Sequence, residues 1–183
     1  MVVFRFQKCR SRFTYFLELS TENLLMRVAI LTISDSVARG EREDLSGPAL
    51  IARCHELGWV LTSALRCSDD PAAVRNQMRA IAESGSVDIL LTTGGTGLGP
   101  RDTTPEVTLD VGDRAIPGIP EEIRRKGVEK TPTAVLSRGV AVIRYKTIII
   151  NLPGSPKGAV ESLDAIAHLL PHAIEVLHGA HHG

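Results

Sequence analysis

The sequence predicts a single three-layer α/β domain: a mostly parallel sheet between helices, with an antiparallel strand pair toward the C-terminus. Three observations carry this. Short apolar, β-branched runs alternate with longer stretches whose apolar residues recur at helical spacing, the pattern of a parallel sheet covered on both faces. The runs end in polar or glycine-rich turns: Ser34-Asp35, Asp69-Asp70, Gly94 to Gly97, and Asn151 to Lys157. A chain of 183 residues suits one such domain with its own core, leaving about 25 residues to spare.

Val28 to Ile33 reads as the first buried strand, followed by a polar loop from Val37 to Asp44. Ser46-Gly47-Pro48 opens a helix with Leu50, Ile51, Cys54 and Leu57 on one face, closed by Gly58. Val60 to Cys67 alternates as a strand. Asp69-Asp70-Pro71 then caps a helix bearing Val74, Met78, Ile81 and Ala82, with Gly85 beyond its end. Val87 to Leu91 is a further buried strand. A short helix near Pro105 to Val111, a turn at Ile116-Pro117-Gly118 and a charged helix from about Pro120 to Glu129 follow. Val140 to Arg144 and Lys146 to Ile150 pair around Tyr145. Ser155-Pro156 is an N-cap/N1 pair for a final helix carrying Val160, Leu163, Ile166, Ala167 and Leu170.

The most informative stretch is Thr92-Thr93-Gly94-Gly95-Thr96-Gly97-Leu98-Gly99-Pro100-Arg101-Asp102-Thr103-Thr104-Pro105-Glu106. Glycines allow positive φ and leave amides uncovered, which is how a backbone wraps an anion. Thr103 and Glu106 have capping-box spacing, and Thr104-Pro105 would serve equally as N-cap and N1. Either arrangement points a helix N-terminus into the same crevice. Arg101 can grip a phosphate with its planar fork, and Asp102 can hold a divalent metal or a proton. The stretch is no P-loop, because no Gly-Lys-Ser/Thr follows. Nor is it a dinucleotide fingerprint, because Pro100-Arg101-Asp102 sits where the helix should have begun. These features describe a phosphate-ester site. Open α/β sheets bind ligands outside the carboxyl ends of their strands, so Asp35, Asp69, Asp102, Arg101, Lys157 and Arg138 are expected around one crevice. Capping explains Asp70; it does not require Asp69.

Lys plus Arg and Asp plus Glu each number 21, so no global field draws nucleic acid or an anionic membrane. No apolar run approaches the roughly 20 residues of a membrane span. Three cysteines, Cys9, Cys54 and Cys67, lack CxxC spacing and point to a reducing, cytoplasmic setting without a zinc site. All four phenylalanines and Tyr15 fall within the first 16 residues. Residues 1–25 therefore read as an extension and residues 26–183 as the domain. The tail His178-Gly179-Ala180-His181-His182-Gly183 reads as a frayed terminus rather than a metal site.

Four segments resemble the molybdenum-cofactor biosynthesis, or molybdopterin-binding, domain family, in family order and spacing. They are Leu31 to Asp35 with Asp44-Leu45-Ser46-Gly47-Pro48; Thr92 to Glu106; Leu136-Ser137-Arg138; and Asn151 to Lys157. Together they cover essentially the whole body of the chain, and residues 1–25 have no counterpart. The nearest subgroup is similar to molybdopterin adenylyltransferases, which bind molybdopterin and Mg-ATP, transfer AMP to the terminal phosphate of the pterin and release pyrophosphate. The resemblance implies that Asp69 and Asp102 are the catalytic carboxylates and that Ser137 binds ligand. With the strand-end reading, it makes Asp102 the expected Mg²⁺ ligand, with Asp69 either sharing the metal or orienting the attacking pterin phosphate. Ser34, Asp35, Gly94, Gly95, Thr96, Gly97, Arg101, Ser137, Arg138, Pro153, Gly154, Ser155 and Lys157 are the expected substrate and nucleotide contacts. It further implies a homotrimer and transient contact with other enzymes of the same cofactor's synthesis. The alternative within the family is a protein that binds molybdopterin without catalysis.

Overall fold

A computed structural model of the chain describes residues 25–179. The expectation of a separable extension over residues 1–25 falls almost wholly outside them, as do Cys9, His181 and His182. The described residues build one six-stranded sheet. Its strands are β1 (Arg27–Ile33), β2 (Val60–Cys67), β3 (Ile89–Thr93), β4 (Arg114–Ala115), β5 (Ala141–Arg144) and β6 (Thr147–Leu152), in the order β2-β1-β3-β6-β5-β4. Strands β2, β1, β3 and β6 are parallel, whereas β5 and β4 are added antiparallel. The expected architecture is thus the observed one.

Among the described residues seven α-helices cover the sheet: α1 (Asp35–Ala38), α2 (Ser46–Glu56), α3 (Pro71–Ala82), α4 (Thr104–Val111), α5 (Gly118–Val128), α6 (Pro156–Ile166) and α7 (Leu170–Leu177). Successive strand residues point to opposite faces, so each central strand feeds two cores. Val28, Ile30, Ile89, Leu91, Ile148 and Ile150 pack beneath α2, α5, α6 and α7. Ala29, Leu31, Leu90 and Ile149 face α3 and α4. Cys54 is fully buried in the first core and Cys67 nearly so in the second. Burial pushes the Cys54 thiol up to about 12. Burial and the Asp69 charge push that of Cys67 up to about 11.

Several boundaries move, each for a local reason. The polar loop after β1 begins with the single turn α1, closed by the Ala38 amide on the Ser34 carbonyl at 2.9 Å. Strand β3 starts later than Val87 and continues through Thr92 and Thr93, which pair with Asn151 and Leu152 of β6. The charged helix begins at Gly118 rather than Pro120. The final helix is two, α6 and α7, because Pro171 has no amide to donate and its ring clashes with the preceding turn. Strand β4 is too short to leave a periodicity. Tyr145 turns the β5–β6 hairpin at φ +52°, a strained value for a bulky residue.

Candidate active site

The carboxyl ends of β1, β2, β3 and β6 lie side by side, because these neighbours run parallel. The Ser34 amide donates to the Cys67 carbonyl at 3.0 Å, so the loops leaving β1 and β2 start together. There Asp35 and Asp69 cap one another. The Asp69 amide donates to Asp35 Oδ1 at 3.0 Å, and the Asp35 amide to Asp69 Oδ2 at 3.3 Å. Asp70 instead caps α3 through the Ala73 amide at 3.0 Å. Asp70 thus caps as expected, while the Asp69 carboxylate is left to the Asp35 amide. Arg101, reaching over from the glycine loop, donates to Asp35 Oδ2 at 3.1 Å.

The loop from α1 to α2 is pinned beneath by Asp44. Burial alone would raise this carboxyl. The Gly47 amide at 2.9 Å, the Thr32 hydroxyl at 2.8 Å and the Arg66 guanidinium at 3.3 Å outweigh it and hold Asp44 below the usual carboxylate range.

The glycine loop follows β3. Gly94 has φ +110°, and a Cβ there would lie 2.2 Å from the Ile33 carbonyl oxygen, so only glycine lets β3 pass so close to β1. The Thr104 amide donates to the Gly95 carbonyl at 3.2 Å, tying the loop to α4. Among the described residues, the amides of Thr96, Gly97 and Leu98 meet no acceptor. Further along, the chain folds over the Asp102 carboxylate. The Gly99 amide donates to Asp102 Oδ2 at 2.8 Å, and the Asp102 amide returns to the Gly99 carbonyl at 3.0 Å. A Cβ at Gly97 would stand only 2.8 Å from the same carboxylate oxygen. Asp102 has no ion-pair partner among the described residues, and it is half-buried.

Neither expected helix start forms a side-chain cap. Thr103 occupies the N-cap position without a side-chain bond, and Glu106 turns away to Arg138. An ion pair from a distant segment outcompetes the local capping box. Arg138 also donates to the Gly97 carbonyl at 2.7 Å and to that of Asp102. Ser155 does cap its helix, accepting from the Gly158 amide at 3.1 Å. Lys157 stands exposed in the first turn of α6 with no ion pair among the described residues. The loop Asn151 to Lys157 is tied to the glycine loop by the Thr93 hydroxyl on the Pro153 carbonyl, 2.7 Å. Gly154 packs against Gly94.

Two concavities flank the glycine loop. A groove of about 860 Å³ runs between it, α5 and α6, and is lined by Thr96, Gly97, Ser137, Pro153 and Ser155 among others. Its volume is that of a small-molecule site. A shallower depression of about 370 Å³, sharing Leu98 with the groove, is lined by Asp102, Glu106 and Arg138. Ser34, Asp35, Asp69, Gly94, Gly95, Arg101, Gly154 and Lys157 line neither space. Sequence reasoning missed Lys126, Lys130 and His168 on the groove wall, and Arg124, whose guanidinium holds the Ser137 and Gly139 carbonyls at 3.2 and 3.1 Å. For Arg124 and Lys126 the helical charge on α5 was the available signal, and it reads as an ordinary solvated face; Lys130 and His168, outside any helix, left none.

The family described as "Probable molybdopterin binding domain" matches residues 29–172, nearly the whole sheet with its loops. The chain belongs to that family. It is 38% identical over 150 residues to the molybdopterin adenylyltransferase of Escherichia coli strain K12, covering 77% of this chain and 73% of the relative. A molybdenum cofactor biosynthesis bifunctional protein of Synechococcus elongatus is 39% identical over 154 residues, 84% of this chain; the match spans 48% of that longer relative. Among solved structures, the molybdopterin biosynthesis enzyme MoaB from Thermus thermophilus superposes with a TM-score of 0.79 at 45% identity, covering 84% of this chain and 97% of that one.

Proposed function

We propose that the chain is a molybdopterin adenylyltransferase. An oxygen of the molybdopterin terminal phosphate attacks the α-phosphorus of ATP, the bond to the β-phosphate oxygen breaks, AMP is transferred and pyrophosphate leaves. The observation that carries this reading is the pairing of the uncommitted Thr96, Gly97 and Leu98 amides with an unpaired carboxylate, Asp102, in one loop. Amides without acceptors suit phosphate oxygens. A carboxylate among phosphates is repelled by them unless a cation intervenes. Lys157 adds a cation in the first turn of α6, where the helix dipole disfavours one unless an anion is bound.

The donor set fits Mg²⁺ arriving with a nucleotide. Among the described residues no cluster of three or more acidic, histidine or cysteine side chains forms a cage, and Mg²⁺ in phosphate-transfer sites takes one or two carboxylates plus phosphates and water. Asp102 would hold it, with Asp69 as the second carboxylate. When bound, the ion neutralises charge on the phosphates. The chain's own part is positioning. The glycine loop amides and Arg101 fix phosphate oxygens, and Ser137 together with the groove wall orients the pterin. No strong base is needed, since the attacking phosphate is already anionic.

The reading extends to a homotrimer acting in the cytoplasm, in transient contact with other enzymes of the pathway and independent of nucleic acid or membrane. Supporting the setting, Cys54 and Cys67 are free thiols, and among the described residues no helix is long and apolar enough to cross a membrane. Pyrophosphate release from Mg-ATP is the decisive assay. Release that depends on molybdopterin supports the transferase. Tight molybdopterin binding without release would leave a binding protein.

A further inference from the structure

Arg138 touches the glycine loop at both of its feet. Its own amide donates to the Thr96 carbonyl at 3.0 Å. Its Nε donates to the Gly97 carbonyl at 2.7 Å, one terminal nitrogen to the Asp102 carbonyl and the other to Glu106. Between Gly97 and Asp102 lies the turn whose Gly99 amide grips the Asp102 carboxylate. Each nitrogen of the planar fork is thereby committed to a protein acceptor. The backbone of Arg138 is fixed in turn from α5, because Arg124 donates to the carbonyls of Ser137 and Gly139 on either side of it.

We infer that Arg138 is a positioning residue: it holds the feet of the glycine loop together so that Asp102 is aimed at the reacting phosphates, and it binds neither the pterin nor a phosphate itself. This rests on the proposed adenylyl transfer for its kinetic consequence, though not for its geometry. Ser137 lines the large groove while Asp102 lines the adjoining depression. The Ser137-Arg138 step therefore joins a groove residue directly to the support of the carboxylate. Lysine cannot substitute, because a tetrahedral ammonium does not reach three acceptors laid out for a planar fork.

The test is kinetic and structural, on the full chain. Arg138→Lys should lower kcat on the order of 10²-fold, as expected for a small misplacement of a catalytic group, with the KM values for ATP and molybdopterin unchanged. Glu106→Gln, which keeps an acceptor, should lose only a few-fold. In an Asp102→Asn background Arg138→Lys should cost almost nothing more, because residues acting as one unit are non-additive. Backbone hydrogen exchange at the bonded amides of the turn, Gly99, Asp102 and Thr103, should accelerate in Arg138→Lys while that of α6 stays as it was. A raised KM at constant kcat, or multiplicative losses in the double variant, would make Arg138 a ligand contact and overturn the inference. Unchanged exchange at Gly99, Asp102 and Thr103 would overturn it whatever the kinetics. Should Asp102→Asn turn over normally, the catalytic assignment of Asp102 fails by itself, and the exchange result still decides whether Arg138 holds the loop.

Discussion

Strand β3 is flanked by two aspartates that live under opposite conditions. At its N-terminal end Asp88 is 3% exposed and fully spent. It accepts from the Arg27 amide at 2.8 Å and from the Arg27 guanidinium at 3.1 and 2.7 Å, with His178 Nε2 at 3.7 Å. Burial would raise its carboxyl, but the Arg27 hydrogen bonds and charge outweigh that and hold it below its usual value. Beyond the C-terminal end, Asp102 is half-exposed, holds one backbone amide and meets no cation among the described residues. The fold neutralises the first charge internally and leaves the second open. Burial plus complete pairing marks Asp88 as a structural carboxylate, whereas the place of Asp102 beside unbonded loop amides makes it the candidate for function.

Asparagine at each position separates the two. Asp102→Asn keeps the shape and the Gly99 hydrogen bond but removes the charge. It should fold as the parent does, bind molybdopterin, and lose on the order of 10²-fold or more in pyrophosphate release, as when one preorganised electrostatic group is lost. Near-normal release in saturating Mg²⁺ would shift the leading role to Asp69. Asp88→Asn should do the reverse. It leaves Arg27 facing a neutral amide and should cost about 2 kcal/mol of stability, read by denaturant midpoint, with per-molecule activity unchanged. The pH dependence sharpens the contrast. Asp88 is depressed in the folded state, so its contribution is full above the unfolded carboxylate value of about 4 and fades as the pH falls through the lower folded value. Asp88→Asn should flatten that acid limb; an unchanged limb would show that Asp88 does not generate it.

Sequence reasoning reached the exposed end more readily than the buried one. Glycines, Arg101-Asp102 and the strand ends announce themselves because loops with chemistry need unusual residues at fixed offsets. Asp70 and Ser155 were legible as caps because capping is local. Asp88 was not legible as a structural anchor, since its partner Arg27 comes from another strand. The same holds for Glu106, whose local spacing promised a cap until Arg138 claimed it. Arg138 itself looked free to meet a ligand. Only the packing of the turn against the glycine loop shows where its donors go. Local rules read one segment at a time, and these assignments depend on which distant segment competes.

Ser137 probes the groove side of the same loop, with a smaller effect. It is partly buried, lines the groove, and gives its carbonyl to Arg124. Removing the hydroxyl leaves that carbonyl bond in place. Ser137→Ala should weaken molybdopterin binding by about tenfold, one hydrogen bond's worth, and leave ATP affinity alone. Calorimetric titration of each ligand separately checks this. Equal weakening for both ligands would mean the turn had collapsed, and no change would remove Ser137 from the site.

The smallest effect is expected from the largest alteration, removal of residues 1–25. At the buried end of the sheet the bonds of Met26 and Arg27 run to the body of the domain. Met26 is 2% exposed and its carbonyl accepts from the Val60 amide at 2.8 Å, while Arg27 holds Asp88 through its own amide and guanidinium. None of these groups belongs to the segment removed. A chain beginning at Met26 brings its new terminal amine near the Asp88 carboxylate, an attraction that opposes no existing bond. The glycine loop and its neighbours leave the opposite ends of the strands, with the length of the sheet between. Melting temperature and molybdopterin-dependent pyrophosphate release should therefore both match the full chain. A marked fall in melting temperature with normal turnover would assign residues 1–25 to the structural end of the contrast. A fall in turnover at constant melting temperature would assign them to the other.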